Sequence, residues 1–223
     1  MDTDGTDQQA SPPATVDETN YGVLGHPRPW LDFFHTPLSP DRLGPLYPGA
    51  CFQGEQRSGI HSYDVIVRIQ HVDLEAATLS GYLHIHGLTT DYPELTTFFE
   101  AEIIGSRYSF LTRKWGASEE IDKRHWTKFS AFEPYKQKFN RDDFQYDFAS
   151  QDHLFMRWKE HFLVPDHRVQ SINGASFAGF YYICCHLSAG SITGFYFHSN
   201  SEWFQSISLH HRASQSSASY QLR

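Results

Sequence analysis

Glu160 lies in the segment Met156-Arg157-Trp158-Lys159-Glu160-His161-Phe162-Leu163-Val164-Pro165. Side chains of a strand alternate with a period of two, so as a strand this segment puts Glu160 on the face of Met156, Trp158 and Phe162, with Arg157 and Lys159 pointing away. An ionised carboxylate in apolar surroundings costs several kcal/mol unless it gains a fixed cation, a raised pKa or a ligand. The sequence offers no evident fixed partner, and the pattern is that of a pocket receiving a cation. The same residues also draw as a helix, with Phe155, Trp158 and Phe162 on one side and Glu160 in solvent, and periodicity does not separate the two.

Other reactive patterns are weaker. Gly174-Ala175-Ser176-Phe177-Ala178-Gly179 approaches a nucleophile elbow, but Ala178 stands where the second glycine belongs, and a strand rather than a helix follows. The glycines are more simply a turn and a close-packed strand start. His84 and His86 share a strand face and could both hold zinc, yet no Cys or carboxylate accompanies them at ligand spacing; solvent-facing histidines are the simpler reading. Asp166-His167 after Pro165 reads as a turn. A phosphate loop and a dinucleotide fingerprint are both absent, and neither metal nor cofactor is expected. Aromatic residues form 16% of the chain, but they interleave with acidic residues, which suits core and pocket walls better than base stacking.

These candidates must be held by something. Eight of the eleven prolines fall within the first 48 residues, among many polar ones. Such a stretch buries too little apolar surface to offset its ordering entropy, so residues 1–45 are expected to be a disordered tail and 46–223 the folded domain. The net charge of −8 argues against nucleic acid as a partner. Three cysteines, two of them adjacent, read as reduced thiols of a cytoplasmic or nuclear protein. No signal-like leader or membrane-length apolar run is seen, so no membrane association is expected.

From Ser62 onward strands dominate. Val65, Val67 and Ile69 alternate with polar neighbours, and Leu83 and Ile85 face inward between His84 and His86. Leu95 to Ile104 forms a third strand and Arg107 to Leu111 another. Ser118 can cap a helix that carries Glu119 and Glu120 in its first turn and presents Ile121, Trp126 and Phe129 inward. Phe177 to His186 is apolar on both parities, as a strand covered on both sides would be. Ser191 to His198 and Glu202 to Leu209 complete the set. The pattern reads as all-β: a closed antiparallel eight-stranded β-barrel, or a strongly curved sandwich, with a helical insertion. An apolar mouth and one inward carboxylate would suit a cationic, partly apolar ligand.

Several strings carry a family likeness: Ser62-Tyr63-Asp64-Val65, Gly81-Tyr82-Leu83, Leu95-Thr96-Thr97-Phe98-Phe99-Glu100, Phe110-Leu111-Thr112-Arg113-Lys114-Trp115, Phe155 to Glu160, Phe162 to His167, and Gly174 to Tyr182. In this order they resemble the vacuolar import and degradation family, which includes substrate receptors of the GID/CTLH ubiquitin ligase. The resemblance covers about Leu46 to the terminus. It implies an eight-stranded barrel whose open end binds proteins beginning with a free N-terminal proline, and it implies a strand at Met156 to Phe162. By the family pattern Glu160 pairs with the proline ammonium and Tyr181 bonds the peptide near its first residue. Ser176, Tyr196, Gln56 and Gln205 line a polar wall, and Val65, Leu83, Ile85, Leu88 and Leu95 form the apolar slot. Loops at Gln53 to His61 and Leu187 to Ile192 are expected to close over the peptide. The family role is recruitment without catalysis, with the C-terminal segment, here Ser219 to Arg223, docking on an armadillo-type scaffold subunit. Two other functions fit the same residues: a lipocalin-like carrier of a small amine, and a hydrolase using Ser176.

Overall fold

The strands close the sheet on itself around an apolar core. The computed structural model describes residues 44–169, 172, 176–199 and 205–213. The strands are β1 (Cys51–Ser58), β2 (His61–Asp73), β3 (Thr78–His86), β4 (Glu94–Ile103), β5 (His153–Val164), β6 (Phe180–His186), β7 (Ser191–Phe197) and β8 (Gln205–Arg212). They run in that order around a closed barrel, each antiparallel to its neighbour, and β8 returns to β1. Closure removes free sheet edges. Val65, Val67 and Ile69 of β2, Leu79, Leu83 and Ile85 of β3, and Phe52, Leu154, Met156 and Trp158 fill the interior. The expected tail over 1–45 lies outside the described residues apart from its last two positions, and the C-terminal segment 219–223 lies wholly outside them.

A second apolar layer covers the outside of β5 and β6. Between β4 and β5 the chain forms α1 (Glu119–Trp126) and a 3-10 turn at Ser130–Tyr135. Phe110, Trp126, Phe129 and Phe132 pack there against Phe155, Phe180, Tyr182 and Cys184. This explains why β6 is apolar on both parities. Ser118 caps α1 as expected, its hydroxyl accepting from the Ile121 amide at 3.4 Å. Of the expected stripe Trp126 and Phe129 are buried and Ile121 only half-buried, and Asp122 and His125 join the buried face.

Two expectations fail locally. Arg107 to Leu111 is not a strand. The Gly105 amide closes a turn onto the Tyr108 carbonyl, and Phe110 swings under Trp126, whose indole N–H holds the Phe110 carbonyl at 2.9 Å. The other correction concerns Leu187 to Ile192, which joins the end of β6 to the start of β7. That turn lies at the barrel end opposite the ends of β1 and β3, so it cannot close over a ligand at Glu160. In the other expected loop, Gln53 to Ser58 and His61 are strand, and only Gly59 and Ile60 remain as the hairpin tip.

Candidate functional site

The mouth is built by strand parity. Along β5, Met156, Trp158 and Glu160 point inward. A β-bulge then interrupts the pairing with β4: Phe99 faces Glu160 but Phe98 faces Phe162, leaving His161 extra. The extra residue reverses the parity, so Phe162 turns out, 36% exposed, and Leu163 turns in. Phe162 therefore does not share the face of Glu160. Its ring stacks outside on Phe98 at 5.1 Å, and Glu160 is left as the last side chain of the inward run.

Glu160 is 3% exposed. The Thr97 hydroxyl donates to its Oε1 at 2.5 Å. Among the described residues no cationic side chain forms an ion pair with this carboxylate. Burial pushes its pKa up to about 7, against the opposing pull of the Thr97 bond and the Lys159 charge. Lys159 points away, its ammonium donating to the backbone carbonyls of Glu160 at 2.7 Å and Phe177 at 3.1 Å. Arg157, also outward, bonds Glu102 at 3.0 Å.

A cavity of about 390 Å³ opens beside Glu160. One wall is a relay of polar groups: the Tyr181 hydroxyl donates to Gln56 Oε1 at 2.9 Å, and Gln56 Nε2 donates to Gln205 Oε1 at 3.0 Å. Beside Tyr181, with ring centres 5.0 Å apart, Tyr196 donates its hydroxyl proton to the Ser176 carbonyl and accepts the Gly179 amide, each at 2.9 Å. Burial raises the pKa of both phenols and keeps them neutral donors. Ile85, Leu88 and Leu95 supply apolar surface. Gly179 is required by packing, because a Cβ there would lie 2.1 Å from the Phe197 carbonyl oxygen and 2.6 Å from the Tyr196 ring.

The cavity thus collects Glu160, Tyr181, Ser176, Tyr196, Gln205, Gln56, Ile85, Leu88 and Leu95. Val65 and Leu83 do not line it; both are fully buried in the barrel core below. Sequence reading missed Thr97, Tyr63, Ser58, Phe177 and His198. Two of these were accessible from alternation, since Thr97 lies two residues beyond Leu95 and Tyr63 two before Val65. Phe177 and His198 lie beyond the strand ends, where periodicity is silent.

Ser176 belongs to a turn, its hydroxyl accepting the Ala178 amide at 3.3 Å. Gly174 and Ala175 of the elbow-like string lie outside the described residues. His84 and His86 are on the outer face with rings 6.4 Å apart, and His84 is bonded to the Thr96 hydroxyl at 2.6 Å. Among the described residues no group of three or more His, Cys, Asp or Glu is arranged to hold a metal.

A family model described as vacuolar import and degradation protein matches residues 45–212. The glucose-induced degradation protein 4 homolog of Mus musculus is 55% identical over 80% of this chain and 82% of its own. The GID complex substrate-recognition subunit 4 of Schizosaccharomyces pombe is 40% identical, covering 69% of this chain and 84% of its own. The subunit of the same name from Saccharomyces cerevisiae is 31% identical over 74% of this chain and 61% of its own. The match spans β1 through β8, and with it the strands that carry Glu160 and its cavity: the chain belongs to the vacuolar import and degradation family.

Proposed function

We propose that this protein is a non-catalytic substrate receptor of a GID/CTLH-type ubiquitin ligase, and that its cavity binds the free N-terminal proline of proteins marked for ubiquitination and degradation. The observation that carries the reading is Glu160: a carboxylate inside a cavity with one hydroxyl donor and no ion-pair partner among the described residues. A proline at a chain start presents a charged secondary amine with two protons on a compact apolar ring. One carboxylate reads the charge, while Ile85, Leu88 and Leu95 take the ring. Tyr181 would bond the peptide near its first residue, with Gln56 and Gln205 as the polar wall beside it. The names of the relatives support the receptor role. The C-terminal residues Ser219 to Arg223 would dock on an armadillo-type scaffold subunit. Three free cysteines suit a reducing cytoplasmic or nuclear setting.

Calorimetry on the full chain tests this reading with three ligands: a short peptide starting with free proline, its N-acetylated twin, and free prolinamide. The receptor reading expects micromolar-order binding of the first, none of the second, and much weaker binding of the third, because a short peptide must be ordered on binding yet gains backbone bonds the amide lacks. Equal binding of peptide and prolinamide would instead favour the small-amine carrier, which uses the same carboxylate without peptide context. Equal binding of the acetylated peptide would remove Glu160 from recognition.

A further inference from the structure

The β5–β6 ladder ends beside the cavity. Its last pair is Lys159 with Phe180, while β5 itself continues to Val164 against β4. Beyond that pair the two chains diverge, and residues 176–179 swing across to form cavity wall. The Lys159 ammonium spans the divergence, donating to the Glu160 carbonyl on one side and the Phe177 carbonyl on the other, at 2.7 and 3.1 Å. From within the barrel, Tyr196 holds the same segment by its bonds to the Ser176 carbonyl and the Gly179 amide. The segment is gripped from both faces.

We propose that Lys159 is a positioning residue for this site: a side-chain clasp that continues the strand pair past its end, fixes the 176–179 wall, and leaves the Glu160 carboxylate turned into the cavity for the ligand's amine. The inference rests on the receptor reading of the cavity. An ammonium has three donors, and two are used on carbonyls. A Lys159 paired instead with the Glu160 carboxylate would satisfy the charge that the ligand must satisfy. Held behind the wall, its charge favours the ionised carboxylate without blocking it, and Glu160 in turn opposes the effect of burial on Lys159. Among the described residues the other titratable groups around Glu160 are the phenols of Tyr181 on β6 and Tyr196 on β7, with Tyr63 on β2 and His198 after β7 sharing the cavity; β4 contributes the Thr97 hydroxyl.

Lys159→Met keeps length and loses charge, and Lys159→Arg keeps charge. Both are compared with the wild-type full chain by ligand-free amide hydrogen exchange and by affinity for a free-proline peptide from mildly acid to mildly alkaline pH. The Met variant is expected to exchange faster at Ala178 and Gly179 with β2 and β3 unchanged. It should bind about tenfold more weakly, the order of one lost charge-assisted hydrogen bond, and its binding midpoint should move to higher pH. The Arg variant should restore the affinity and the midpoint. Unchanged exchange together with an unchanged midpoint in the Met variant would overturn the proposal, as would an Arg variant as impaired as Met. If the wild-type chain binds no proline peptide, the receptor reading fails separately, and the ligand-free exchange still decides whether the clasp exists.

Discussion

Two carboxylates are buried among the described residues, one on each side of the barrel wall, and their surroundings differ. Asp122, beneath the helical insertion, is 1% exposed. It accepts from the Thr112 amide at 2.8 Å, the Thr112 hydroxyl at 2.5 Å and the Tyr182 hydroxyl at 2.7 Å, with the Arg157 charge also acting on it. Glu160, inside, is almost as buried but among the described residues has only the Thr97 hydroxyl and faces open volume. Burial raises the pKa of both. The lesson is that burial alone does not mark a binding carboxylate. A carboxylate offers about four acceptor sites; Asp122 uses most of them to bolt the insertion onto β6, while most of those of Glu160 have no partner among the described residues and, on the proposed function, would serve a ligand.

The contrast can be broken by removing each group. Glu160→Ala should lose most affinity for a free-proline peptide, on the order of 3–5 kcal/mol by calorimetry, with no loss of thermal stability; near-normal binding would end the comparison. Asp122→Ala should do the reverse. It strands the Thr112 and Tyr182 donors and should destabilise the fold by roughly 3 kcal/mol in denaturant melts, leaving intrinsic affinity intact for the folded fraction.

Smaller changes sharpen it. Thr97→Val removes the one donor that favours ionised Glu160, so binding at neutral pH should weaken by about 1–2 kcal/mol. Its binding midpoint should rise. Stability against pH gives a further test. A carboxyl whose folded pKa, about 7, exceeds the usual 4.5 favours the folded state at low pH. That contribution is fully present below 4.5 and is lost as pH rises to about 7. Glu160→Gln should abolish this part of the ligand-free profile, as followed by melting temperature, and leave the variant more stable than wild type above neutrality.

Much of this was legible because alternation is local information. Val65, Val67 and Ile69 announce β2 by themselves, and the two-sided β6 announces its cover. What escaped reading depends on a partner. The bulge at His161 exists only in register with Phe98 and Phe99, and it reversed the expected place of Phe162. Asp122 carried no signal of its own, because its donors lie ten residues earlier in Thr112 and sixty residues later in Tyr182. The cavity residues Ile85 and Leu95 share their parity with Val67 and Ile69, so sequence gives a side of the wall but not a depth. The family resemblance assigned Val65 and Leu83 to the slot, and alternation could not correct their depth: both lie in the core beneath it.

The most direct test of the difference between the two carboxylates is an NMR pH titration of the Glu160 side-chain carboxyl carbon in the full chain, with and without a free-proline peptide. The expected midpoint is near 7 without peptide, falling well below it once the peptide's ammonium is bound, while Asp122 does not respond. A Glu160 midpoint in the ordinary carboxylate range, or one that the peptide leaves unmoved, would contradict this expectation.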